Sequence, residues 1–325
     1  MITRRHLAAS AAILLATRAA RAQAPRYPDQ PVRIIVPFPA GGPADIVGRL
    51  LARALSDQLG QPFVVDNRAG AGGVIGVEVV ARARPDGLTL GIGSSGALSV
   101  LPSLMPRMPY DVARDIQPVS LAIIVPQVLA VHPSVPARTV AELVALAKAR
   151  PGGLNFASSG SGNSLHLAAE LFRARAGGIE IIHVPYRGAA PALTDLVGGQ
   201  VQMMFGDVPV MLPQIRAGTI RALAVTAPVR SAVLPDVPTM AEAGVAGVES
   251  ESYYGLIAPA GLPADRLAIL NNAVKTALES PATRQPLLDQ GGRLIGGTPE
   301  AFAAHIRAES EKWAEVIRFS GATLD

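Results

Sequence analysis

The sequence has no cysteine, and aromatic residues make up only 4% of its 325 positions. Without thiols, neither a disulfide framework nor a cysteine-ligated metal site can form. After residue 24 there is no apolar run of about 18 residues or more, so the sequence predicts no membrane-spanning helix. A chain of this length can be stabilised by its apolar core alone and needs no disulfides.

The sequence also lacks the signatures of common enzymes and metalloproteins. No G-x-S-x-G segment marks a hydrolase nucleophile, although an exported hydrolase stays as an alternative function. His132, His183 and His305 lie far apart without ligand spacing. The segment Gly91–Gly96 has the spacing of a dinucleotide fingerprint, but the match is weak, and an exported chain has no evident means of retaining a cofactor. We therefore expect no metal, no cofactor and no enzymatic activity.

Residues 1–24 predict an export signal that is cleaved. They combine a basic start, the apolar run Leu7–Ala16 and small residues at Ala22 and Ala24. Cleavage after either of these two alanines fits the pattern. A pair of arginines near the start resembles a twin-arginine export box, and the general secretory route is the alternative. Either route delivers the protein to the periplasm.

The predicted signal also accounts for the charge of the chain. The full sequence has 29 basic and 25 acidic residues, a formal net charge of +4. The whole excess lies in the signal, which has no acidic residue and four arginines: Arg4, Arg5, Arg18 and Arg21. The remaining chain is formally neutral and would not be attracted to nucleic acid, so we expect no nucleic-acid partner.

A strand, a loop and a helix follow one another after Tyr27. The apolar segment Val32–Val36 predicts the strand, and Gly41 and Gly42 lie in the loop. Apolar residues at helical spacing then predict one buried helix face: Val47, Leu50, Leu51, Ala54 and Leu55. The first amides of a helix lack partners within it and carry partial positive charge, and glycines let a ligand reach them. The junction predicts an anion site, with a simple tight turn as the alternative.

Two further junctions of the same kind occur in the middle of the chain. The segment Asn155–His166 leads from a short strand through a small-residue loop into a helix. The strand Ile179–Val184 ends in the loop Pro185–Gly188, before a helix that opens near Pro191. Three such junctions predict a composite ligand cleft. The first two loops contain no Lys or Arg, so amides, hydroxyls, helix dipoles and bridging waters would hold a carboxylate of low charge.

Two charged residues near these loops have more than one interpretation. Arg187 is the one strong cation candidate inside the loops, and a solvated loop arginine is the alternative. Asp207 follows an apolar strand, where it would accept a hydrogen bond from an ammonium or hydroxyl at the far end of a ligand. Capping of the next helix is the alternative role for Asp207. The sequence leaves both pairs of alternatives open.

The chain is long enough for two domains of about 120 to 180 residues each. Strand-like and helix-like segments alternate, which predicts an α/β fold with mostly parallel sheets flanked by helices. The segments Ser120–Val131 and Glu249–Ala258 are the expected crossings between domains. We therefore expect a discontinuous first lobe of residues 25–125 plus 250–325, and a second lobe of residues 126–249. Two extended connectors would allow the lobes to close over a ligand.

Five motifs, in order along the chain, resemble the substrate-binding proteins of tripartite tricarboxylate transporters, the Bug family of periplasmic receptors. They are Pro31–Asp45, Asp66–Gly73, Ser159–Leu167, Val184–Gly188 and Tyr254–Gly261. The resemblance implies a type II periplasmic binding protein, a two-lobed Venus flytrap that binds a small organic acid. It also implies one large and one small integral membrane partner of the transporter. A solute sensor that feeds a signalling receptor is the alternative, and we expect a monomer.

The resemblance also implies a set of ligand-binding residues. In the first lobe they are Phe38, Ala40, Gly41, Gly42, Asp45, Ser94, Ser95 and Gly96; in the second they are Ser159, Ser161, Gly162, Asn163, Ser164, His166, Tyr186, Arg187 and Gly188. His166 is expected to donate to a ligand oxygen or to fill the core rather than to act as an acid or base. Many relatives have proline in place of Ala40 and tryptophan in place of Tyr253, the residue expected in the pocket wall. These departures leave the identity of the ligand open.

Overall fold

The computed structural model describes residues 27–289 and 291–324, so the predicted export signal lies outside the described residues. Within these ranges the chain forms two α/β lobes, each a β-sheet flanked by helices. The strands are β1 Val32–Val36, β2 Phe63–Asn67, β3 Thr89–Ser94, β4 Ile116–Val131, β5 Asn155–Ser158, β6 Ile182–Pro185, β7 Met203–Asp207, β8 Arg221–Val225, β9 Glu251–Pro259 and β10 Arg293–Gly296. The α-helices are α1 Pro43–Leu59, α2 Val74–Ala81, α3 Leu101–Leu104, α4 Val112–Asp115, α5 Val140–Ala149, α6 Ser164–Arg175, α7 Ala189–Val197, α8 Val208–Arg216, α9 Ala264–Glu279, α10 Pro281–Asp289 and α11 Pro299–Ser320. None of the described helices is long and apolar enough to cross a membrane.

The first lobe is built on the sheet β2-β1-β3-β9-β4, with β10 paired to the first half of β4. Strand β1 lies between β2 and β3 and is parallel to both, so its apolar side chains are buried on both faces. Helix α1 packs its predicted apolar face on this sheet. Val47, Leu51 and Leu55 are fully buried there, and Leu50 and Ala54 are partly buried at its edge. This packing fixes the loop between β1 and α1.

The second lobe is built on the last five residues of β4 together with β5, β6, β7 and β8. Strand β5 is parallel to β6 and β7, which places the ends of these three strands on one edge of the sheet. The core of this lobe contains Phe156, Phe172 and Phe205. Because these rings are buried beneath the sheet edge, the loops after β5, β6 and β7 rest on a packed base.

Strand β4 belongs to both sheets. Its residues up to Pro126 pair with β9, where Pro126 lies opposite Glu251. From Gln127 onward the strand pairs with β7 and β8, and Gln127 lies opposite Asp207. The second crossing lies just before β9, where Ser250 donates its backbone N–H to the carbonyl of Thr226. The two crossings therefore lie side by side at the base of the space between the lobes.

The fold class predicted from the sequence is confirmed, but the sheets are mixed rather than mostly parallel. Four strand pairs are parallel, and each lies within one lobe. The five antiparallel pairs all include β4 or β9, the two strands at the crossings. The chain passes between lobes in opposite directions along these two strands, and this antiparallel course is not visible in the alternation of strands and helices.

The C-terminal helix α11 contacts both lobes. It packs against β4 in the first lobe and against α6 in the second. Trp313 of this helix is fully buried in a cluster with Val100 of the first lobe and Leu167 of the second. Val316, one turn further on, packs against the core of the second lobe. Apolar contacts of α11 therefore link the lobes in addition to the two strand crossings.

Candidate ligand site

A cavity lies between the two lobes, where several strands end and the following helices begin. Its walls surround about 630 Å³ of empty space, a figure that includes open solvent at its mouth. Among the described residues that line the cavity, none is Lys, Arg or His, and Asp207 is the only carboxylate. The lining consists of Phe38, Pro39, Ala40, Gly42, Pro43, Ala44, Ser94, Ser95, Gly96, Ser159, Asn163, Ser164, Leu165, Gly188, Ala189, Ala190, Pro191, Asp207, Ser252 and Tyr254.

The structure brings together most of the residues that the sequence assigned to the site. Those that line the cavity are Phe38, Ala40, Gly42, Ser94, Ser95, Gly96, Ser159, Asn163, Ser164, Gly188 and Asp207. Those that lie outside its lining are Gly41, Asp45, Ser161, Gly162, His166, Tyr186, Arg187 and Tyr253. In this second group, Asp45 and His166 each accept a hydrogen bond from a loop amide. Ser161, Tyr186 and Arg187 line a neighbouring groove, and Tyr253 lies in the first-lobe core.

The first turn of α1 opens into the cavity. Gly42 is the N-cap residue and offers no side chain to the helix amides, and Pro43 follows it at the first helical position. Gly42, Pro43 and Ala44 all line the cavity. The positive end of the helix dipole and the backbone around it are therefore accessible to a ligand.

Asp45 supports this loop from behind instead of lining the cavity. Its carboxylate is buried and accepts hydrogen bonds from the Gly41 N–H (3.0 Å), from Arg49 Nε (2.9 Å) and from Asn67 Nδ2 (2.9 Å). Asn67 Nδ2 also donates to the carbonyl of Phe38 at 2.9 Å. Burial acts to raise the pKa of Asp45, but the hydrogen bonds from Arg49, Gly41 and Asn67 outweigh it and lower the pKa. The carboxylate is an anchor for residues 38–42, so its prediction as a ligand contact is not supported by its position.

Asp45→Ala is expected to lower the free energy of unfolding by about 1–2 kcal/mol, because the Gly41 amide and the partly buried Asn67 side chain lose a charged acceptor. The lowered pKa sets the pH dependence. The stabilisation is present above the unfolded-state pKa of about 3.9 and is lost as pH falls through the lower folded-state value. Urea unfolding between pH 7 and pH 2 should show a constant difference from wild type down to about pH 4 and a shrinking one below it. Asp57→Ala, at an exposed position, provides the control. An equal decrease in its free energy of unfolding would contradict the anchoring role of Asp45.

The loop after β5 is held by its own side chains. Asn163 caps α6, since its Oδ1 accepts from the backbone N–H groups of Leu165 and His166 at 3.0 Å each. Its Nδ2 donates to Ser159 Oγ at 2.9 Å. The N-terminus of α6 is therefore capped within the protein, and the hydroxyls of Ser159 and Ser164 are the polar groups that this loop presents to the cavity.

His166 lies beneath this loop and not in the cavity. It is buried, its Nδ1 accepts from the Gly162 N–H at 3.1 Å, and its ring stacks on His183 with centroids 4.1 Å apart. His183 in turn contacts Ser158 Oγ at 2.7 Å. Of the two roles left open for His166, the core position is the one observed. The stack with His183 was not foreseen, because the two residues are on separate elements.

The loop after β6 contributes a second uncapped helix start. Helix α7 begins at Ala189, and its N-cap Gly188 has no side chain to satisfy the first amides. Gly188 has φ of +122°, and a Cβ on it would come within 3.3 Å of Pro39 Cγ in the first lobe. The uncapped starts of α1 and α7 therefore line the same cavity from opposite lobes.

Tyr186 and Arg187 lie at a neighbouring groove instead of the cavity itself. Tyr186 donates its hydroxyl to Asp195 Oδ2 at 2.6 Å, and burial together with this hydrogen bond raises the pKa of Tyr186 to about 12. Arg187 is exposed. Both line a groove that shares Phe38 and Gly188 with the cavity. The solvated loop arginine is thus the interpretation that the position of Arg187 favours.

Asp207 forms one end of the cavity. Although it is the N-cap residue of α8, its side chain makes no capping hydrogen bond. Oδ1 accepts from Ser252 Oγ at 2.6 Å and Oδ2 accepts from the Tyr254 hydroxyl at 2.9 Å. Burial raises the pKa of Asp207 to about 6, and these two hydrogen bonds act to lower it. Of the two roles left open by the sequence, helix capping is therefore not the one observed.

Tyr254, and not the predicted Tyr253, lies in the cavity wall. Successive residues of a strand point to opposite faces of the sheet, so Ser252 and Tyr254 of β9 share the cavity face. Tyr253 points the other way into the first-lobe core, where its hydroxyl lies 2.6 Å from Ser99 Oγ. The structure therefore places Tyr254, and not Tyr253, on the lining of the cavity.

A chain of side-chain hydrogen bonds crosses the floor of the cavity, and no sequence pattern predicts it. Ser95 of the first lobe donates from Oγ to Ser164 Oγ of the second lobe at 3.1 Å. Gln127 on β4 donates from Nε2 to Ser164 Oγ at 3.1 Å and to Ser252 Oγ at 3.0 Å. The floor therefore links both lobes to both crossing strands. In the described part of the chain, no group of three His, Cys, Asp or Glu residues is arranged to hold a metal ion.

The family model of the tripartite tricarboxylate transporter family receptor matches residues 47–321. The chain belongs to this receptor family. BugT of Bordetella pertussis is 43% identical over 307 residues, which cover 94% of this chain and 94% of BugT. The solved structure of R. palustris Rpa4515 with adipate has a TM-score of 0.88 and 38% identity, covering 91% of this chain and 99% of that one. MatC from Rhodopseudomonas palustris with bound malate has a TM-score of 0.85 and 33% identity, covering 90% and 100% of the two chains.

Membership of the receptor family confirms the resemblance carried by the five sequence motifs. Other solved neighbours are periplasmic binding proteins, which agrees with the two-lobed α/β fold. The family consists of solute receptors and not of enzymes. The protein is therefore a solute receptor of the periplasmic binding protein type.

Proposed function

We propose that this receptor binds a small organic carboxylate in the cavity between its lobes and delivers it to a tripartite tricarboxylate transporter. The observation that carries the proposal is the pair of uncapped helix starts, at α1 and α7, that line one cavity from opposite lobes. Because no cationic side chain lines this cavity in the described chain, the backbone amides and helix dipoles would hold the carboxylate.

Hydroxyl groups complete the proposed carboxylate site. Ser94, Ser95, Ser159 and Ser164 line the cavity. The Oγ atom of Ser94 is buried and has no hydrogen-bond partner in the described protein. A buried hydroxyl of this kind costs free energy unless a ligand or water satisfies it. Ser94 is therefore the side chain that we expect to donate directly to the ligand.

The solved relatives support a carboxylate as the ligand class. Rpa4515 is found with adipate and MatC with malate. Both ligands are small organic acids. By family membership, one large and one small integral membrane protein would receive the loaded receptor, and export through the predicted signal would place it in the periplasm.

Closure of the lobes around the ligand is the proposed binding step. We propose that residues 27–125 together with 250–324 move as one lobe and residues 126–249 as the other, because β4 changes partners between Pro126 and Gln127. Ligand oxygens that contact both lobes would bind the closed form better than the open one and shift the hinge equilibrium toward closure. A diffusing monomer suits this role.

A panel of small carboxylates, screened by thermal shift against the chain without its signal, tests this proposal. A ligand present at about 100 times its Kd should stabilise the protein by about 2.7 kcal/mol. The same ligand should reduce the radius of gyration in small-angle X-ray scattering. If no carboxylate raises the melting temperature, the proposed receptor function is wrong. If a saturating ligand leaves the scattering curve unchanged, the proposed closure of the lobes is wrong.

A further inference from the structure

The far end of the cavity has a distinct chemistry. Asp207 is only 4% exposed, and it is the sole carboxylate on a lining without Lys, Arg or His in the described chain. The one other ionisable group on the lining is Tyr254, whose pKa burial raises well above its ordinary value, so it stays neutral. No Lys, Arg or His side chain of the described chain offsets a second anionic group placed at this end of the cavity.

The hydrogen bonds around Asp207 favour its ionised form. Ser252 and Tyr254 each have a single hydroxyl proton, and each donates it to a different oxygen of Asp207. Ser252 Oγ also accepts from Gln127 Nε2, so the network orients its proton toward the carboxylate. Protonation of Asp207 would take up one of the acceptor positions that these two hydrogen bonds leave free. The network thus holds an acceptor at this end of the cavity.

An ionised carboxylate has room for further hydrogen bonds. Its two oxygens have about four acceptor positions, of which Ser252 and Tyr254 fill two. A ligand that brings an ammonium or hydroxyl to this end fills a remaining position and forms a charge-assisted hydrogen bond. A ligand that brings a second carboxylate places like charges together in a buried site, which is unfavourable.

We propose, on the basis of the receptor function proposed above, that Asp207 is a specificity-determining residue. It selects a ligand with one carboxylate and, at its other end, a hydrogen-bond donor such as an ammonium or hydroxyl group, and it disfavours dianions. The carboxylate of the ligand lies at the start of α1, and its donor lies at Asp207.

Isothermal titration calorimetry with ligands of matched length tests this selectivity. The two series are succinate, 4-hydroxybutyrate and 4-aminobutyrate, and adipate, 6-hydroxyhexanoate and 6-aminohexanoate. At pH 7.5 the wild type should bind a donor-bearing member at least about 10-fold more tightly than the dicarboxylate of the same series. Asp207→Asn, which keeps the shape of the side chain, should reduce this ratio at least about 10-fold. Asp57→Asn removes the same charge at an exposed position of α1 and should leave the ratio unchanged.

The wild-type protein supplies a second test that needs no mutation. The strongest ligand in the thermal-shift panel at pH 7.5 should carry a single carboxylate. A dianion as the strongest ligand, or an unchanged ratio in a folded Asp207→Asn, overturns the selectivity and leaves the receptor function standing. If no carboxylate in the panel binds at all, the receptor function itself fails. The two failures are therefore distinguishable.

Discussion

Gly42→Val is expected to abolish carboxylate binding while the protein stays folded. Gly42 has φ of −83° and ψ of 171°, an extended conformation that valine adopts readily. A Cβ at this position would meet only the carbonyl oxygen of Pro39, at 3.8 Å, so the side chain adds no clash inside the protein. It would instead fill the space beside the first turn of α1. Hydrogen bonds to a charged group contribute about 1.5–3 kcal/mol each, so affinity should fall by at least about 100-fold.

Gly41→Val is the matched control for this substitution. Gly41 does not line the cavity, and a Cβ there has no atom within 4 Å. Its φ of +86° is unfavourable for a residue with a side chain and costs about 1–2 kcal/mol. Gly41→Val should therefore lose stability but less affinity, whereas Gly42→Val should lose affinity and less than about 1 kcal/mol of stability. Calorimetry and urea unfolding separate the two effects, and normal affinity in Gly42→Val would refute the proposed carboxylate site.

The first junction shows how far local sequence patterns reach. The apolar strand, the glycine loop and the apolar face of α1 are local features, and the structure contains all three. The local pattern is ambiguous for Asp45, because an acidic residue in the first helical turn suits two roles. It can face a ligand, or it can reach back to a loop amide as it does here to the Gly41 N–H. The position of Asn67, on a different strand, decides between them.

Strand β9 shows where the sequence ceases to determine the site. Alternation of polar and apolar residues normally reveals which face of a strand is buried. In β9 nearly every residue is buried, because its two faces pack into separate apolar clusters of the first lobe and only the start of one face reaches the cavity. Tyr253 and Tyr254 therefore look equivalent in the sequence. Their assignment depends on the pairing of β9 with β3 and β4, which is a long-range property.

The groups on the cavity floor could not be predicted for a related reason. Gln127, Ser164 and Ser252 come from two crossing strands and a helix, and they meet only when both lobes are assembled. Single polar residues in apolar strands do not reveal their partners. The loops of the site are thus readable from glycine and helix signals, whereas the floor requires the tertiary structure.

Trp313→Ala is expected to lower the free energy of unfolding by about 3–5 kcal/mol, as is usual when a large buried aromatic side chain is removed. Trp313 is fully buried, and its Nε1 donates to Glu309 Oε2 at 3.0 Å. Its cluster joins Val100 of the first lobe to Leu167 of the second. The loss of the ring should therefore also weaken the contact of α11 with the second lobe. In the absence of ligand the radius of gyration should rise, because the contact of α11 with the second lobe no longer opposes opening of the lobes.

Phe302→Ala separates the loss of core packing from the loss of the link between lobes. Phe302 lies on the same helix and is equally buried, but it packs in the first-lobe core with Tyr253. Both alanine variants should be destabilised to a similar extent in urea, and only Trp313→Ala should expand in small-angle X-ray scattering. Trp313→Phe keeps an apolar ring in place and should largely retain the compact form if the alanine variant proves too unstable. Equal radii of gyration for folded Trp313 and Phe302 variants would mean that α11 stabilises the first lobe without restraining the hinge.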